Sequence, residues 1–201
     1  MAQVKLTKNE IKKQKDALKR YQRYLPTLQL KKQQLQMVLR QIELQKKELQ
    51  DQRDDLYSNI QQWIQVFGEE VDVAALIEID TIVTESGNIA GIDIPVFKEL
   101  TFKDSQYDLF LYSLWVDRGV EGLKGVLALD AELFILQRQY ELISQELRTT
   151  SQRVNLFEKV KIPETKENIR RIQIYLGDQQ TAAVVRGKIS KGKIDASGGA
   201  A

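Results

Sequence analysis

Leu28, Leu35, Ile42, Leu49, Leu56 and Trp63 fall at strict seven-residue intervals in the N-terminal part of the chain. A helix turns once every ~3.6 residues, so an unbroken seven-residue apolar repeat keeps one stripe on a partner only when the helices supercoil left-handedly. Ile11, Leu18 and Leu25 form another series with the same period. It is displaced by three at Leu25/Leu28, which reads as a stammer, and Pro26 inside it predicts a local overwinding or kink. The companion seam position reads Lys31, Val38, Gln45, Gln52, Asn59 and Val66. Gln45 and Gln52 fit the edge of a two-helix interface, where an amide reaches water.

A second stretch has a fuller pattern. Val126, Leu133, Tyr140, Leu147 and Val154 make one seven-residue series, and Leu129, Leu136, Ile143, Thr150 and Phe157 make the other. Turn chemistry is missing from both stretches: the first glycine is Gly68, preceded by the single proline Pro26, and Val126 to Leu176 contains only Pro163. Connections in compact domains come every dozen residues or so, so spans of this length predict very long helices and exclude a Rossmann, barrel or sandwich fold. A helix of about 60 residues spans ~90 Å. Two such helices cannot close into a sphere, and the expected arrangement is an antiparallel pair within one chain.

Between them the period changes. Ile77, Ile79, Thr81 and Val83 alternate with Glu78, Asp80, Ile82 and Thr84; Ser86, Gly87 and Asn88 supply turn residues; Ile89, Ile92, Ile94, Val96 and Phe97 follow around Gly91 and Pro95. This predicts a short β-hairpin with Pro95 on an edge strand. Gly119, Gly122 and Gly125 recur every three residues and suit close helix approach. The expected class is therefore all-α dominated: a long antiparallel two-helix coiled-coil hairpin with a short β-hairpin between the helices. Its segments are an N-terminal helix over 1–67, an acidic connecting region over 68–106, a C-terminal helix over 107–187 kinked at Pro163, and a flexible tail over 188–201, whose composition is that of disordered chain.

Charge adds a polarity. Residues 1–67 carry 14 Lys/Arg and 7 Asp/Glu, 68–110 carry 2 and 10, 111–160 carry 6 and 7, and 161–201 carry 8 and 4. Both ends of the sequence are basic and the middle is acidic, so a chain folded back at its middle is expected to be positive at one end and negative at the other. Any one of these runs alone reads as a solvated helix face.

With 0 Cys and 0 His, disulfides, thiolate nucleophiles, Cys/His zinc sites and imidazole acid–base catalysis are excluded. There is no GxxxxGK[ST] or GxGxxG cradle for phosphates. Asp51, Asp54 and Asp55 cluster on one helix and read as solvent charges, Trp63 and Trp115 as packing residues. No catalytic, cofactor or metal-binding residue is expected. The start of the chain lacks a signal-peptide core and no apolar run approaches the ~20 residues of a membrane span, so a cytoplasmic location is expected. Basic residues around Tyr21 and Tyr24 could serve nucleic acid or an acidic protein surface; an RNA-binding arm explains the basic end but not the acidic middle.

The run from Arg153 to Leu176, RVNLFEKVKIPETKENIRRIQIYL, resembles the signature of the D subunit of V-type and archaeal-type ATPases. Arg153, Val154, Asn155, Glu158, Ile162, Pro163, Ile169 and Ile172 match it as they stand. LTKNE near the start, LQLKKQQL at 28–35 and NIAGIDIPVF at 88–97 are similar to further family segments in the right order. LGDQQTAAVV after Leu176 and the proline at 26 differ from the family pattern.

The resemblance implies a single-copy central rotor shaft of a rotary ATPase or ATP synthase that moves protons or sodium ions. Its partners would be the catalytic A and B subunits, the F subunit, and a C/d-type adaptor that seats it on the membrane rotor; it would be peripheral to the membrane, with no span of its own and no nucleic-acid partner. The implied catalytic-ring interface is Lys12, Lys13, Lys19, Arg20, Arg23, Arg153, Asn155, Glu158, Lys161, Arg170 and Arg171. The implied interface with the F subunit is Glu78, Asp80, Glu85 and Asp93. The alternative is a prefoldin-like coiled-coil chaperone, also helix, strand pair, helix.

Overall fold

The computed structural model describes residues 4–67, 76–103, 112–113 and 115–198, with the side chains of 63–67 and 196–198 outside the description. The expected packing role of Trp63 and the expected boundary at 106/107 lie outside the described residues. The elements are α1 (Lys8–Phe67), β1 (Ile79–Ile89), β2 (Ile92–Phe102), α2 (Trp115–Asn155), a π-helical stretch (Leu156–Lys161) and α3 (Ile162–Gly198). The chain divides into two compact units, one of Met1–Leu30 with Thr150–Ala201 and one of Lys31–Thr149.

Helix α1 starts on a side-chain cap. Thr7 Oγ1 accepts from the N–H of Glu10 at 3.3 Å, three residues on, and the Thr7 carbonyl accepts the first helical bond from Ile11. The helix then runs unbroken through Pro26. The expected stammer is absent. Ile11, Leu18 and Leu25 continue in step through Lys32, Leu39, Lys46, Arg53 and Ile60, all buried or half-buried. The other series is Tyr21, Leu28, Leu35, Ile42, Leu49 and Leu56. The companion seam therefore lies one residue later than expected: Gln45, Gln52 and Asn59 are exposed, as the edge reading of the two glutamines requires. Three cations conceal the true series in the sequence, because their aliphatic stems cover the seam while their charged ends reach its rim.

In the second unit α1 and α2 run antiparallel. Lys31 pairs with Glu146 at 2.8 Å, Lys46 donates to Gln137, Arg53 meets Asp130 at 3.2 Å, and Ile60 lies against Gly122. Each step forward on one helix is a step back on the other. Leu35, Leu39, Ile42, Leu136 and Ile143 form the core together with Ile94 from the β-hairpin. Trp115, Val116 and Val120 form a separate cluster with Leu76 and Ile77. All ten positions of the two predicted series between Val126 and Phe157 are buried or half-buried.

Strands β1 and β2 pair antiparallel from Ile79↔Phe102 to Ile89↔Ile92, with irregularities between Ile79/Thr81 and Val83/Thr84. The turn is not at Ser86–Asn88, which lies within β1, but at Ala90–Gly91. Both residues have positive φ, 52° and 79°, the left-handed pair that a two-residue type I′ turn needs to match strand twist. Asn88 assists: its Oδ1 accepts from the Gly91 N–H at 3.1 Å. Ser86, Gly87 and Asn88 have turn chemistry, but the apolar pairing of Ile89 with Ile92 closes the ladder beyond them.

Within the first unit the expected kink site at Pro163 is preceded by the π-helical stretch. The Ile162 N–H donates to the Phe157 carbonyl, five residues back. Two causes meet here. Pro163 has no N–H to give and its ring crowds the carbonyl four residues earlier. The seam also needs one extra residue: continued at period seven, the α2 series would bring Lys161, Asn168, Glu164 and Arg171 inward. After one added residue they fall instead on Ile162, Ile169 and Leu176, all half-buried, and on Thr165 and Ile172, with Ile172 wholly buried. Thr165 is satisfied by donating its hydroxyl to the Lys161 carbonyl at 2.6 Å.

Residues 188–198, expected to be a flexible tail, continue α3 as helix through Gly198. Glycines there cost about 1 kcal/mol each against alanine. Propagating an existing helix requires no new nucleus, and that favours continuation over a stop.

Candidate partner-contact surfaces

The residues that the sequence assigns to one interface all fall in the first unit. Lys12, Lys13, Lys19, Arg20 and Arg23 are exposed on α1; Arg153 and Asn155 are exposed at the end of α2; Glu158 and the half-buried Lys161 belong to the π stretch; Arg170 and Arg171 lie on α3. Lys161 pairs with Glu164 at 3.4 Å, and Arg170 and Arg171 share Glu167 at 3.8 and 3.1 Å. Such solvated pairs are worth about 0–1 kcal/mol and exchange readily for other partners. Tyr21 and Phe157 stack tilted at 5.2 Å.

The first unit carries 18 Lys/Arg against 7 Asp/Glu, a net charge of +11; the second carries 12 against 21, a net charge of −9. The division of charge thus coincides with the division of the fold. A net charge of +2 hides two strong, opposite fields.

Glu78, Asp80, Glu85 and Asp93, assigned to the other interface, lie on or beside the hairpin of the second unit. Glu85 meets Lys98 across the strands at 2.8 Å, and Asp93 accepts from Asn88 at 2.7 Å. Glu78 binds Lys103 at the open end, and that hydrogen bond raises the Lys103 pKa above its ordinary value. Arg53 is held likewise, chiefly by its hydrogen bond to Asp54 and then by Asp130. Among the described residues no group of carboxylates is arranged to hold a metal ion, and no helix is long and apolar enough to cross a membrane.

The hairpin is fixed by a contact the sequence does not reveal. Gln139, buried on α2, donates its amide to the Pro95 carbonyl at 2.6 Å. Proline has no N–H for a further strand, so the same point on β2 is closed to pairing on both counts. Beside this contact a groove of about 380 Å³ runs between hairpin and helices, floored by Leu49, Ile94 and Leu136 and rimmed by Gln45, Gln52 and Glu132. Gln139 falls outside both seven-residue series. Its one visible signal is its position one turn from Ile135 and Ile143 on the α2 face that the hairpin covers.

A family described as the D subunit of ATP synthase matches residues 10–192. The V-type ATP synthase D subunit of Borreliella burgdorferi is 53% identical over 194 residues, covering 96% of this chain and 96% of the relative. That of Chlamydia abortus is 32% identical over 145 residues, 69% of this chain and 70% of the relative. That of Chlamydia pneumoniae is 33% identical over 118 residues, 59% and 56% respectively.

Proposed function

The chain belongs to the ATP synthase D subunit family, and from that premise we propose that it is the non-catalytic central rotor shaft of a V/A-type rotary ATPase or ATP synthase. It passes torque between the ring of catalytic A and B subunits and the ion-translocating membrane rotor. The observation that carries this reading is the opposite charge of two units that are each built on long helices, +11 and −9. A shaft needs two ends that bind different partners.

In this reading the basic unit, with Lys12, Lys13, Lys19, Arg20, Arg23, Arg153, Asn155, Glu158, Lys161, Arg170 and Arg171, enters the catalytic ring. The acidic unit, with Glu78, Asp80, Glu85 and Asp93, meets the F subunit and the C/d-type adaptor. One asymmetric shaft in a threefold ring touches three catalytic interfaces differently, so its rotation shifts their nucleotide affinities in turn. The coupling is reciprocal in binding free energy: nucleotide state also sets the preferred angle of the shaft. Stiffness comes from long helices whose seams stay in step, and free turning from polar contacts that exchange at low cost. The complex holds one copy, on the cytoplasmic side of the membrane.

Reconstitution tests this. The chain is mixed with an A/B ring and the F subunit, a bead is attached to the hairpin, and ATP is added; stepwise rotation is the expected result. A ring that fails to capture the chain, or captures it and hydrolyses ATP with no rotation of the bead, overturns the proposal. Equilibrium dialysis of the isolated chain with ATP is expected to show no stoichiometric binding at micromolar concentration.

A further inference from the structure

The groove between the hairpin and the two helices of the second unit has a chemistry of its own. Glu132 and Gln139 stand seven residues apart on α2, and Glu48 stands one turn before Gln52 on α1, so each pair keeps to one face of its helix. Both faces line the groove, together with the apolar surface of Leu49, Ile94, Leu136 and Phe97. Its ionised groups are the carboxylates Glu48 and Glu132, and no Lys or Arg lines it. Lys46, Arg53, Lys98 and Arg138 are directed elsewhere, to Gln137, to Asp54 and Asp130, to Glu85 and to Glu141. Among the described residues neither Glu48 nor the half-buried Glu132 has a hydrogen bond or ion pair.

Gln139 adds a third acceptor. Its Nε2 donates to the Pro95 carbonyl, which fixes Oε1 at the other end of the amide, and Oε1 accepts no hydrogen bond among the described residues. The side chain is 7% exposed, yet among the described residues no fully buried side-chain oxygen lacks a partner, so Oε1 faces the open space of the groove that Gln139 lines. A nearly buried acceptor without a donor costs free energy that a bound donor would recover. Carboxylates, a free amide oxygen and apolar walls together select a cation on an apolar stem. A volume of about 380 Å³ is near the lower end of ligand sites, ~300–1,000 Å³, too small for a helix and suited to one long side chain with an apolar neighbour. Arginine fits better than lysine: its planar fork reaches two acceptors at once, it is weakly hydrated, and its face stacks on an aromatic ring such as Phe97. The unit's net charge of −9 favours the approach of a cation.

We propose that this groove receives an arginine side chain from the partner of the acidic unit, its guanidinium donating to Glu132 and to Gln139 Oε1 and its aliphatic stem lying on Leu49 and Leu136. This rests on the shaft reading, in which that unit meets the F subunit and the adaptor, and it gives that contact an anchor.

Two measurements on the full chain test it. In the first, the chain is labelled at its Ile, Leu and Val methyls and titrated with n-butylguanidinium by NMR. Saturable shifts are expected at Leu49, Ile94 and Leu136, and Glu132→Gln, which keeps the side chain's shape, is expected to weaken the binding at least about fivefold. In the second, the affinity of the F subunit and of the adaptor is measured for wild type and Glu132→Gln. A fall of about tenfold is expected for one of them, and replacing one arginine of that partner by Met is expected to add little to it, the mark of a direct pair. Equal probe titrations for wild type and variant, or shifts confined to other sites, overturn the proposal and leave the shaft reading standing. Probe binding with partner affinity unchanged by Glu132→Gln overturns it too, by assigning the groove to a small free cation, as does a fall in affinity coupled to no arginine. A wild-type chain that neither partner captures overturns both readings.

Discussion

Gln139 is 7% exposed on an otherwise apolar face, and its amide donates to the Pro95 carbonyl at 2.6 Å. Replacing it by Met keeps the volume but removes the side-chain donor to the Pro95 oxygen. The expected loss is about 1–3 kcal/mol of stability, read as a lowered midpoint in urea. Tyr140 gives a pH signature. Its hydroxyl hydrogen-bonds the Glu43 carboxylate, which raises its pKa above the ordinary 10.0. Lys46 lies over the same ring at 5.7 Å, and the Glu141 carboxylate is adjacent in sequence. A phenol whose folded pKa is raised contributes stability that is present below its unfolded pKa and lost as pH rises through the folded value. Tyr140→Phe is therefore expected to show a shallower fall in melting temperature above pH ~10 than wild type. An equally steep fall in both would show that other groups govern alkaline unfolding. Neither residue's partner is readable from sequence, because both contacts join positions far apart along the chain.

Elements are legible where their apolar period is long, and illegible where charged side chains or one extra residue interrupt it. The α2 series survives intact because nine of its ten positions are apolar, and all ten are covered. The α1 series looks broken at Pro26 because Lys32, Lys46 and Arg53 occupy seam positions; the helix holds its phase through the proline. The shift of phase lies near Pro163, where the sequence shows a proline but not the added residue. The hairpin is legible as a hairpin, but its turn is hidden because Ala90 is not a residue that prefers positive φ. Its φ of 52° is strained for a residue with a Cβ. Ala90→Gly is therefore expected to stabilise the second unit by about 0.5–1 kcal/mol. Gly91→Ala, at φ 79°, is expected to destabilise it by about 1–2 kcal/mol. Hydrogen exchange of the β1 amides measures both; equal protection in the two variants would remove turn strain as the cause. Gly122 behaves differently. A Cβ there would lie 2.8 Å from Ile60 Cδ1, so the helix-propensity gain of Gly122→Ala is offset by displacement of a buried side chain, unlike Gly187→Ala, where nothing is within 4 Å.

At the scale of the whole molecule, charge is the property most directly inherited from sequence: the basic and acidic runs become two units with net charges of +11 and −9. If the basic unit turns inside a ring, its charges must act as many weak contacts. A deeply buried ion pair would cost several kcal/mol to break at every step, whereas exposed pairs are worth about 0–1 kcal/mol each. Arg170 and Arg171 already share one carboxylate, Glu167, and Arg153 is exposed. Removing any one of the three is expected to change ring affinity by less than about threefold. Neutralising all three, as Arg153→Gln, Arg170→Gln and Arg171→Gln, is expected to weaken ring binding by about tenfold and slow ATP-driven rotation. Folding should be little affected, because the lost intrachain pairs are solvated. Raising ionic strength from 0.1 M towards 1 M shortens the screening length from ~10 to ~3 Å. Salt should therefore reproduce part of the loss in wild type and add little in the triple variant. If the three arginines merely solvate their helices, the triple variant will bind, turn over ATP and respond to salt as wild type does, and that outcome refutes their assignment to the ring interface.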